Sequence, residues 1–66
     1  MNITRIRQED RIRIIDGIVA SIRASMDKEL TINKDDVIMA TMANFGLSRR
    51  TAREYVEVAY YKLNLV

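Results

Sequence analysis

The side chains best equipped for chemistry in this chain lie together: Ser48, Arg49, Arg50, Thr51, Arg53 and Glu54. A guanidinium can bridge guanine O6 and N7 or hold a phosphate, and a glutamate can accept from a cytosine amino group. Ser48 and Thr51 are suited to phosphate contacts at the start of a helix. The same residues also suit an ordinary solvated helix face, with Arg50 and Arg53 facing Glu54 and Glu57 at i, i+4 spacing. Catalytic chemistry is not expected. The chain has no His and no Cys, no Gly-rich phosphate loop, and carboxylates that sit where helix capping or surface pairing explains them. Asp35 and Asp36 read as capping charges rather than a metal set. No metal ligands, cofactor or small-molecule substrate follow from the sequence, and the protein is expected not to be an enzyme.

The elements that position those residues are helical. Ile12, Ile15, Ile18, Val19, Ile22 and Met26 recur at i, i+3, i+4, i+7 and predict a helix over residues 8–28, with Ile14 widening its apolar face. Gly17 falls inside it, where it costs about 1 kcal/mol relative to Ala, and a close helix crossing is its expected purpose. Leu30 and Ile32 are expected to anchor the connection under the domain. Asn33 is a good N-cap for a second helix over 34–45, with Asp35 and Asp36 in its first turn. That helix turns Ile38, Thr41, Met42 and Phe45 inward beside Val37, with Met39 and Met42 filling gaps in the core. Gly46 then closes the helix in a left-handed conformation, Leu47 tucks into the core, and Ser48 caps a third helix over 48–64. Ala52, Val56, Ala59, Tyr60 and Leu63 form its inward stripe, with Tyr55 at the edge. The predicted fold is an all-α three-helix bundle, one domain over 8–66, preceded by residues 1–7.

Length and charge limit what this domain can be. At 66 residues a chain buries only about 60% of its unfolded surface, so tight packing or oligomerisation must help. Eleven basic residues against nine acidic leave a net charge of only +2, a weak footprint for nucleic-acid binding, so the placement of charge outweighs its sum. Eight of the eleven are arginines, which favours bidentate contacts or surface ion pairs. The N-terminal residues carry no apolar signal region, and no apolar run approaches the ~18 residues that span a bilayer. The absence of Cys fits a reducing compartment. A cytoplasmic, nucleoid-associated location is the expectation.

The run from Phe45 to Val56, FGLSRRTAREYV, preceded by Asn33 to Ile38, NKDDVI, resembles the trihelical helix-turn-helix segments common in archaeal regulators and in archaeal viral or plasmid proteins. The resemblance covers residues 31–61, with Met42 where such segments often carry Ala. After Leu63 no space is expected for a β-hairpin wing. It implies binding of double-stranded DNA, with the third helix in a major groove. Arg5 and Arg7 then read either as a frayed, solvated terminus or as a basic arm lying along the duplex. Lys34, Tyr61 and Lys62 could touch flanking phosphates.

A second expectation concerns partners. The last two turns of the third helix are apolar or aromatic nearly all round, and Val58, Tyr61, Leu65 and Val66 are expected to meet a homodimer partner or a larger protein. Two functions therefore stand side by side: a small DNA-binding regulator or architectural factor, and a helical adaptor of a replication or transcription complex.

Overall fold

A computed structural model describes residues 7–65. Among them three helices form, α1 (Gln8–Asp27), α2 (Lys34–Phe45) and α3 (Arg49–Lys62), with no strand, and the all-α three-helix bundle is what the periodicity predicts. None of these helices is long and apolar enough to cross a membrane.

Each helix starts and stops for a local chemical reason. Glu9 and Asp10 stand in the first turn of α1, and Asp35 and Asp36 in that of α2, where the positive end of the helix dipole favours them. The Asn33 side chain accepts from the backbone N–H of Asp35 at 2.9 Å and of Asp36 at 3.3 Å, so two orphan donors of α2 are satisfied. All three helices stop the same way. Glu29, Gly46 and Asn64 take positive φ of 57°, 66° and 57°. The following residues donate back: Leu30 to the carbonyl of Ser25, Leu47 to that of Met42, and Leu65 to that of Tyr60, at 3.0–3.2 Å. This six-to-one bond is the Schellman signature. Gly46 adopts the conformation without penalty and Asn64 tolerates it. Glu29 adopts it at a cost, and nothing in its residue type announces it. The turn at Asn64 also ends α3 at Lys62, two residues earlier than predicted.

The core is built on α3. Ala52, Val56 and Ala59 have no exposed surface, and Tyr55 is 6% exposed, so Tyr55 belongs to the core rather than to its edge. Ile15, Ile18 and Ile22 of α1 and Ile38 of α2 complete the buried cluster, with Ile14, Val37, Met42, Leu47 and Leu63 packed against it. Thr41 is buried too, its hydroxyl donating to the Val37 carbonyl at 2.8 Å. Among the described residues no buried side-chain polar atom lacks a partner.

α1 and α2 each pack along α3 but touch one another little. That arrangement corrects several sequence expectations. Ile12, Met26, Met39 and Phe45, inward by their spacing, are all exposed, because a helix with one packing partner buries a narrower stripe than a helix with two. Leu30 is exposed as well and does not anchor the connection; Ile32 does, half-buried against the core. Gly17 serves no close crossing. A Cβ built on it would meet only the Phe45 Cζ, at 3.9 Å, an ordinary contact.

Candidate nucleic-acid interface

The turn from Gly46 to Ser48 sets the direction of α3. The Gly46 and Leu47 N–H groups both donate to the Met42 carbonyl, and half-buried Leu47 packs against the core. Ser48 then caps α3, accepting from the Thr51 N–H at 3.3 Å. The Ser48 hydroxyl donates in turn to the Thr51 hydroxyl oxygen, 3.1 Å away, so the Thr51 hydroxyl proton remains free for another acceptor.

With Ala52, Tyr55, Val56 and Ala59 facing inward, helical geometry sends Arg50, Glu54, Glu57, Val58 and Tyr61 to the opposite side, with Arg53 beside them. All six are exposed. The first turn of α3 carries no acidic residue, whereas the first turns of α1 and α2 carry two each. Its positive dipole end is therefore compensated by no side chain of its own, which suits an anion.

Ion pairs decide how much of the positive charge is available. Arg49 lies 3.9 Å from Asp35. Arg53 and Lys34 converge on a single carboxylate, Glu57, at 3.5 and 3.6 Å. Lys34 also stands 5.4 Å from the centroid of the Tyr60 ring, tying the start of α2 to the last turns of α3. Arg50 makes no ion pair among the described residues, and the expected Arg50–Glu54 pair is not formed. The pairs that do form are solvent-exposed on both sides, the class worth about 0–1 kcal/mol and screened by salt. A phosphate can compete with carboxylates held that loosely.

The structure thus brings Ser48, Arg49, Arg50, Thr51, Arg53 and Glu54 together on the first two turns of α3. Arg7 stands apart, before α1, 3.8 Å from Glu9. Arg5 lies outside the described residues, as does Val66. Of the expected partner residues, Val58 is 40% and Tyr61 76% exposed on the outer face of α3. Leu65 is turned back by Asn64 and packs, half-buried, against the core of its own chain.

Two features of the surface arise only from tertiary packing. Arg11 stacks over Tyr55, its guanidinium carbon 6.0 Å from the ring centroid; the pair is far apart in sequence and only the packing of α1 on α3 reveals it. The second is an open groove of about 320 Å³ between α1 and α2, running from Gly17 and Phe45 at one end to Ser25 and Asp36 at the other. The only advance signal was the absence of any charged residue from Val37 to Phe45. Compared with protein-family models, curated proteins and solved structures, the chain gives no match.

Proposed function

We propose that this protein binds double-stranded DNA, laying the first two turns of α3 in a major groove as a small regulator or architectural factor. The observation that carries this reading is the exposure of Arg49, Arg50 and Arg53, with half-buried Thr51 beside them, at a helix start free of acidic residues. Arg50 is the candidate for base edges, because it points away from the core and has no carboxylate partner among the described residues. Arg49, Arg53 and Thr51 serve phosphates, exchanging weak surface pairs for charge-assisted bonds to the duplex. Glu54, on the same face, accepts from a cytosine amino group or faces solvent. Nucleoid association follows from this reading.

The test is a titration of labelled duplex at low and moderate salt with wild type and Arg50→Ala/Arg53→Ala. Binding by counterion release falls linearly on a log–log salt plot with a slope of about −0.9 per phosphate neutralised. The double variant should bind more weakly, with a slope shallower by about 2. Equal binding by both proteins would remove α3 as the reader. A second reading, a protein-binding adaptor, is favoured by Val58 and Tyr61, exposed one turn apart on the outer face of α3. No binding to any duplex at low salt would select it.

A further inference from the structure

We infer that the α1/α2 face, on the side of the bundle away from α3, is where a second copy of this chain docks, giving a back-to-back dimer with both α3 helices outward. The groove between α1 and α2 is lined by those helices and their connection, with no residue from α3. Its floor includes Ile18, Ile22 and Val37, and its walls include Gly17, Ser21 and Ala40. Helical periodicity adds Ala24 and Ala43 to the same exposed surface. Small side chains there let another pair of helices approach closely. Phe45 lies at one end of the groove, 45% exposed, and is an apolar side chain large enough to enter the groove of a partner.

Charge selects a second copy as the occupant. Along α1 this face carries charge only at its ends. Asp10 and Arg13 lie two turns and one turn before Gly17, and Asp27 and Lys28 lie about one turn after Ala24. None of the four forms an ion pair among the described residues. A two-fold axis lying in this face and crossing the helices exchanges its ends and lays α1 on α1 of the second copy, so Arg13 meets Asp27 of the second copy and Asp10 meets its Lys28. Both pairings are of opposite sign, which is the self-complementarity an isologous interface requires. Two helices side by side are about 20 Å wide, and the span from Arg13 to Lys28 is about 22 Å long. That projected footprint of about 450 Å² per chain is at the low end for specific interfaces and fits a reversible dimer.

Where α3 reads DNA, such a dimer holds two separate duplexes rather than two half-sites of one; this consequence rests on the function proposed above, and the dimer does not. Sedimentation of the full chain without DNA, over a micromolar concentration series, should show reversible dimers. Ala40→Glu/Ala43→Glu should be monomeric with unchanged helicity. Arg13→Glu should raise the dissociation constant about tenfold, and adding Asp27→Arg should restore it, since the reversed charges meet across the two-fold. A monomer throughout the series, a dimer indifferent to Ala40→Glu/Ala43→Glu, or a double charge reversal no better than Arg13→Glu alone would each overturn the proposal. A capture assay with two differently labelled duplexes separates the two claims. Wild type should bring them together, and Arg13→Glu should bind each duplex but join them poorly. Dimers that bind no duplex would refute the DNA reading and leave the interface standing; dimers that bind one duplex at a time would refute the outward placement of α3.

Discussion

Replacing Gly46 by alanine isolates the energetic value of the turn that aims α3. At φ 66° and ψ 35° any residue with a Cβ is strained, by about 1–2 kcal/mol. A Cβ added there meets nothing within 4 Å, so no steric clash with neighbours contributes. Alanine also restricts the unfolded chain, which returns about 0.4–1 kcal/mol. The net loss should therefore be close to 1 kcal/mol, a fall in Tm of about 4–8 °C for a domain of this size. Glu29 provides the converse test, since it holds the same conformation at φ 57° without being glycine. Glu29→Gly removes the strain and should raise Tm by a comparable or smaller amount, because glycine enlarges the unfolded ensemble. Thermal melts followed by helical circular dichroism at one low protein concentration measure both. A Gly46→Ala protein as stable as wild type, or a Glu29→Gly protein destabilised to the same extent as Gly46→Ala, would refute the claim that left-handed closure governs these helix ends.

Gly17→Ala should stabilise the monomer by about 1 kcal/mol, since the new methyl meets only the Phe45 ring edge at an ordinary contact distance; chemical denaturation at low protein concentration would show the gain. Burial raises the pKa of Tyr60 above its ordinary 10.0. A folded-state pKa above the unfolded one gives stability that is complete below pH 10 and lost as pH rises through the folded value. Stability should thus fall in strong alkali, and Tyr60→Phe should flatten that decline in a pH series of melts. Glu57→Gln releases Arg53 and Lys34 together and removes a negative charge from the outer face of α3. Duplex affinity should rise at low salt, and unchanged affinity would mean that the carboxylate does not oppose binding.

The helix ends written in short-range chemistry were legible in the sequence. Asn33 and Ser48 cap, Gly46 closes, and all three act within four residues of where their type appears. Glu29 was not legible, because a glutamate in left-handed conformation is imposed by the chain having to reverse after α1 rather than by its own preference. Helical periodicity identified the inward stripe of α3, whose packing on both other helices buries a broad face. It failed for Ile12, Met26, Met39 and Phe45, because an apolar residue at the right spacing is buried only if a neighbour arrives to cover it. How α1 and α2 divide their contacts between α3 and each other is a long-range outcome that no local pattern carries. The candidate reading face was legible for the complementary reason: side chains placed opposite a well-defined buried stripe point outward wherever the helix lies.

Both surfaces offered for partners expose apolar groups, and the difference between them lies in what would have to be buried alongside. On α3, Val58 and Tyr61 stand among Arg53, Glu54 and Glu57, and covering them would desolvate those charges, a cost of several kcal/mol per ion unless each finds a new partner. Leu65, which could have enlarged that patch, packs against its own core. On the α1/α2 face the central surface holds Gly17, Ser21, Ala24, Ala40 and Ala43, and covering it removes no charge from water. Burial should therefore favour the α1/α2 face even though Tyr61 is the most exposed of the large apolar side chains named for either surface. The charged side of α3 is then left in water, available to a ligand that can match its charges one by one, as a duplex can.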